Sequence, residues 1–215
     1  MDKDDFLRAY LMVDAYKEFN GTIEVLHNDV EYGAEMLNKE DKQFWRRALV
    51  RALFAMIEGV TYRMQQIALR ASQQPRVAFS PGELQVLLEK SFELDSDGKV
   101  VERQIRTSLK GIIRFAFRAY ARVHVADYEL DVGREDEWGA FVSSIKVRDR
   151  LMHPKNAADL NVSDAEMTSA QRTFDWFMKS LKKVQEVSLA ALEEDVRKNP
   201  PPSAVSAPDS EPASK

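Results

Sequence analysis

The segment IKVRDRLMHPKN, residues 145–156, holds side chains from which phosphoryl chemistry without a metal can be built. On an unbroken helix Arg148 and His153 would lie about 140° apart around the axis and share no face. Pro154 changes that expectation. It disfavours α conformation at the residue before it, so the helix should end near Met152, leaving His153 at the cap with its ring able to swing back toward Arg148. There His153 can take the proton from a ribose 2′-OH while Arg148 neutralises the charge developing on the attacked phosphate. The same residues also read as a carboxyl cap, His153, and a surface ion-pair partner, Arg148. The bare spacing does not choose between them, because Arg118 and His124 nearly repeat it.

Two further features bear on chemistry. Arg106, Lys110, Arg114, Arg118 and Arg122 recur every four residues, and no acidic residue falls between Gln104 and Ala126. On one helix each step advances about 40°, giving a slowly winding cationic ridge. It could follow a nucleic-acid backbone, with Phe115 and Phe117 stacking on bases if exposed, or it could neutralise the acidic first helices through Asp5, Asp14 or Glu18. Glu58 is isolated in the apolar run ALFAMIEGVTY, where a carboxylate needs a partner. An arginine from a neighbouring helix would satisfy it, and it could also support Arg148. His27, beside Asn28 and Asp29, reads as a surface residue.

The elements carrying these residues are helical almost throughout. Of 215 residues, 44% are hydrophobic and 31% charged, which describes one globular domain with a sizeable core. There is no cysteine, so disulfides, thiolate nucleophiles and cysteine-ligated metals are excluded, and three histidines make a histidine-rich metal site a poor expectation. The expected site is free of metal and cofactor. No Gly-rich phosphate loop, HExxH or GxSxG pattern occurs. The acidic start MDKDDFLRAY carries neither a leader nor an anchor pattern, so the expected location is cytoplasmic, away from membranes. The net charge of −4 conceals a central block, residues 43–126, with 14 basic and 7 acidic side chains between acidic flanks.

Spacing predicts a first helix over about Asp4 to Phe19, with Phe6, Tyr10, Val13, Ala15 and Tyr16 inward, a break at Asn20-Gly21, and a second helix over Thr22 to Leu37. A long apolar helix from Lys42 to Ser72 should be central. An insertion over about 75–99 contains a short helix opened by Ser80 and Pro81 and a turn at LDSDGK. Val100 to Ala126 reads as one long helix. Helices follow over about Glu135 to Met152 and from Ser163, where SDAE forms a capping box. The fold class is therefore all-α, an antiparallel helical bundle over residues 1–195 with a short helical insertion, and the proline-rich residues 196–215 read as a disordered tail.

Arg148, Asp149 and His153 at the end of a helix, followed by DLNVS and a long last helix, together with the apolar central helix FWRRALVRALFAMIEGVTYRMQQ, resemble the HEPN superfamily of small helical bundles. Its signature is an arginine, a polar residue, and a histidine four to six residues beyond the arginine. The resemblance spans most of residues 1–195 in helix order, with those three residues its specific part. It implies a metal-independent endoribonuclease, commonly a toxin or defence effector, whose two protomers line one cleft with their signature segments. Arg148 would stabilise the scissile phosphate, His153 would be the general base or acid, and Asp149 would orient the pair. RNA, a homodimeric partner and a nucleotidyltransferase-type antitoxin are the implied partners. Similar proteins include non-catalytic modules that bind a nucleotide, nucleic acid or protein.

Overall fold

The computed structural model describes residues 3–74, 77–133 and 135–198, with side chains described from Met12 onward apart from that of Glu135. The proline-rich tail and the side chains of Asp5, Phe6 and Tyr10 lie outside the described residues. The chain is mainly helical, as expected, with one two-stranded sheet.

Helix α1 runs without interruption from Lys3 to Lys39, so Asn20-Gly21 is no break. Gly21 faces open space. A glycine inside a helix costs about 1 kcal/mol relative to alanine, which burial of Phe19 before it and Val30 after it outweighs. Val13, expected inside, is exposed, whereas Ala15 is buried. Helix α2, Gln43–Ala71, lies antiparallel to α1, as the pairs Glu18–Arg70, Glu18–Arg63 and Leu26–Gly59 require. A Cβ on Gly59 would stand 2.7 Å from Leu26 Cδ1, so the missing side chain lets the two helices approach closely.

Between α2 and the next long helix lie α3, Pro81–Leu87, and a hairpin of β1, Lys90–Leu94, and β2, Val100–Gln104. Ser80 and Glu83 cap α3 reciprocally, and the turn at LDSDGK is held by the Asp95 carboxylate, which accepts from the amides of Asp97 and Lys99. Gly98, at φ 76°, takes the left-handed conformation this turn needs. Val100–Gln104 is thus a strand, not the start of a helix. The turn returns the chain beside Lys90–Leu94, where Val100 and Val101 suit a pleated ribbon, and Ser108 then caps the helix by accepting from the Gly111 amide. The insertion accordingly extends to Gln104, and helix α4 covers only Leu109–Val123.

Helix α5, Glu135–Met152, and helix α6, Asp164–Lys198, lie antiparallel, joined by a single 3-10 turn at Ala157–Leu160. The Ser163 capping box is formed: its hydroxyl accepts from the Glu166 amide, and its own amide donates to the Glu166 carboxylate. Helix α6 continues past residue 195, into the segment expected to be tail. Helices α1, α4, α5 and α6 all pack on α2, and α5 and α6 pack most extensively on each other. Phe54, Phe141, Trp176, Phe177 and Phe117 form the aromatic centre of the core.

Candidate functional site

Helix α5 ends where Pro154 requires. The His153 amide donates to the Asp149 carbonyl at 3.0 Å, the last helical bond, and the chain then bends. Arg148, one turn earlier, is held by two carboxylates. Its Nη2 donates to Glu58 Oε1 of α2 at 2.5 Å, and its Nη1 to Asp149 Oδ1 at 2.9 Å. Glu58 therefore has the arginine partner its apolar setting calls for, although its side chain, at 38% exposure, is only half-buried. The structure brings Arg148, Asp149 and Glu58 into one hydrogen-bonded group. His153 joins it only through its backbone: its ring is exposed and makes no hydrogen bond or ion pair among the described residues.

A set of residues not singled out from the sequence fixes the loop that carries His153. Gln43 both accepts from the Val162 amide and donates to its carbonyl, at 2.8 and 2.9 Å. Arg46 donates to the same carbonyl, Arg47 to that of Leu160, and Arg51 to that of Leu151. Arg150 donates to the Asn161 carbonyl and to Glu166. The first half of α2 thus clamps the chain on both sides of residues 153–159. Burial raises the Glu166 carboxyl, but the bonds from Arg150 and Ser163 outweigh it and hold it below its ordinary range. The available signal was the run of arginines in FWRRALVR, on a helix otherwise too apolar to need them.

Beside this group α2 leaves one stripe uncovered. Phe44, Arg51, Ala55 and Tyr62, seven, four and seven residues apart and so within about 40° of one another around the helix, with Glu58 between the last two, are exposed, Phe44 at 60% and Tyr62 at 45%. Met152 at the end of α5 is exposed as well. No family model matches this sequence, and no curated protein or solved structure matches the chain.

The cationic ridge is only partly free. Arg106 precedes α4, so the ridge starts at Lys110. Arg118 pairs with Glu129 at 2.8 Å, and Arg122 pairs with Glu83 at 2.8 Å while lying over the Phe79 ring. Lys110 and Arg114 are exposed and unpaired among the described residues. Among the described residues the ridge does not neutralise α1, whose Glu18 pairs with Arg63 and Arg70 of α2 and whose Asp14 pairs with Arg70. Nor does it offer stacking rings: Phe117 is in the core and Phe115 is half-buried beside Ala119 and Leu87. His27 is not a surface residue. It is half-buried, 5.8 Å from the Phe174 ring in a cleft between α1 and α6. Among the described residues no three histidine or carboxylate side chains converge as a metal site would need, and no helix is long and apolar enough to cross a membrane.

Proposed function

We propose that this chain is a HEPN-type endoribonuclease that cleaves RNA without metal, works as a cytoplasmic homodimer, and serves as a toxin or defence effector. The observation carrying the reading is Arg148, anchored from a second helix by Glu58 and from its own by Asp149, with an exposed histidine at the end of the same helix. Two of its five N–H donors are engaged, which leaves donors for a phosphate oxygen. In the reaction His153 accepts the 2′-OH proton, the 2′ oxygen bonds to phosphorus, and the bond to the 5′ oxygen breaks as that oxygen takes a proton from water, giving a 2′,3′-cyclic phosphate and a 5′-hydroxyl. Arg148 neutralises charge on the pentavalent phosphorane.

Pairing of two copies is supported by the uncovered stripe with Phe44 and Tyr62 on the helix that carries Glu58. A nucleotidyltransferase-type antitoxin would cap the same face. The test is incubation of purified protein with total RNA in EDTA. Cleavage to cyclic-phosphate ends is expected, reduced about 10²–10⁴-fold in His153→Ala and in Arg148→Ala. Cleavage unchanged in both variants, or 5′-phosphate products that need magnesium, would overturn the reading.

One observation favours a second reading, a non-catalytic module of the same fold that binds a nucleotide, nucleic acid or protein partner. Arg148, Glu58 and Asp149 together carry one net negative charge, so the group attracts a phosphate only when other cations add to it. Binding without product, unaffected by His153→Ala, would select that module.

A further inference from the structure

At the end of the bundle formed by α1, α4 and α6, a cavity of about 400 Å³ lies apart from the Arg148 group. Its polar lining is Tyr16, His124, Gln74, Gln185 and Ser188, and Met12, Leu189 and Leu192 are among its apolar walls. His124 Nδ1 is 2.9 Å from the Tyr120 carbonyl, and a carbonyl only accepts, so Nδ1 carries the hydrogen. Nε2 then holds a lone pair, and the Tyr16 hydroxyl, 2.5 Å away, donates to it. Burial pushes the imidazole below its ordinary range against the effect of the Tyr120 carbonyl, so the ring is neutral at pH 7. Burial, and secondarily the neighbouring Tyr120, raises Tyr16, so that group is neutral too.

Two consequences follow for a ligand. The Tyr16 hydrogen is spent on His124, leaving its oxygen as an acceptor inside the cavity. The Ser188 hydroxyl, on a residue only 2% exposed, has no hydrogen-bond partner among the described residues. A buried hydroxyl without a partner is costly, and a bound polar group that reaches it would relieve that cost. The described lining carries no charge, so a bound anion or cation would be desolvated without a counterion.

We propose that this cavity is a binding site for an uncharged small molecule with a largely apolar, aromatic-sized body and an N–H or O–H group. The body lies against Met12, Leu189 and Leu192, and the polar group meets Tyr16, Ser188 and the glutamine amides. This site is independent of the ribonuclease reading.

The test uses two fluorescent probes on the full chain: phenylnaphthylamine, uncharged with one N–H, and anilinonaphthalenesulfonate, the same skeleton with a sulfonate. Saturable binding of one phenylnaphthylamine per chain is expected, at least tenfold tighter than the sulfonate. Leu192→Trp and Leu189→Trp, both at exposed wall positions, should each weaken it tenfold or more, and Ser188→Ala severalfold. Thr168→Trp, which fills the cleft near His27, and His153→Ala should leave it unchanged. No saturable signal, equal affinity for the two probes, undiminished binding in both tryptophan wall variants, or loss through Thr168→Trp would overturn the proposal. Loss of RNA cleavage in His153→Ala with probe binding intact separates this site from the first.

Discussion

The guanidinium of Arg148 is fixed by Glu58 and Asp149, and the two consequences of the Glu58 contact differ in size. The pair is half exposed, so Glu58→Gln should change unfolding free energy by less than about 1 kcal/mol in urea titration. Under the ribonuclease reading it should still lower kcat about tenfold, because the amide holds the guanidinium less firmly and leaves it in more than one rotamer. A different titration belongs to His124. Its folded-state pKa lies below the ordinary 6.5, so on acidification the unfolded chain takes up the proton first. Stability from this group is complete above about pH 6.5 and is lost as pH falls below that toward the folded pKa. Tyr16 and Tyr120, which face the ring from α1 and α4, stay neutral throughout, Tyr120 being pushed up to about 12 by burial. Glu83 and Glu166, held low, lose their contribution only at more acidic pH. Urea midpoints should therefore fall between about pH 7.5 and 5.5 in wild type, with a flatter dependence in His124→Gln. At this scale the helix end before His153 was legible because proline sets it locally. The Glu58 partner of Arg148, 90 residues away, was suggested by its isolation in an apolar run, whereas the Tyr16 partner of His124, 108 residues away, left no such signal.

Elements were legible where a local signal and tertiary packing agree. The capping box at Ser163, the proline start of α3 and the apolar run of α2 are such cases. They were misread where packing overrides a weak signal, as at Gly21, or where a turn a few residues upstream decides, as at Val100. Gly21→Ala tests the first case. With open space around the glycine and helical backbone on both sides, alanine should stabilise by about 0.5–1 kcal/mol. Gly59→Val should do the opposite, by about 1–3 kcal/mol, since its branches would enter the space of Leu26 and Thr22. Chemical denaturation of both variants measures the contrast, and equal effects would show that α1 and α2 do not approach as closely as described.

For the molecule as a whole, the positive block at residues 43–126 has a different use from the one its charge suggested. Arg46, Arg47 and Arg51 bind backbone carbonyls of the loop around His153, Arg63 and Arg70 pair with α1, and Arg118 and Arg122 pair with nearby glutamates. Arg63, Arg70, Arg118 and Arg122 are thus neutralised within the molecule, by partners that charge counting could not assign, while Arg47 and Arg51 are bound by neutral carbonyls. What α2 leaves open is largely apolar, with Phe44 and Tyr62 on either side of the Arg51 to Glu58 stretch. A surface of that kind is stable in water when covered, and under the ribonuclease reading the Arg148–His153 segment beside it would face a second copy. The chain should accordingly sediment at twice its monomer mass at micromolar concentration. Phe44→Asp with Tyr62→Asp places like charges where two copies would meet and should yield monomers with an unchanged far-ultraviolet helix signal. If cleavage needs both signature segments in one cleft, those monomers should lose RNA cleavage while retaining Arg148 and His153. A monomeric wild type would remove the cleft in which, under the ribonuclease reading, two Arg148 groups would hold one RNA strand.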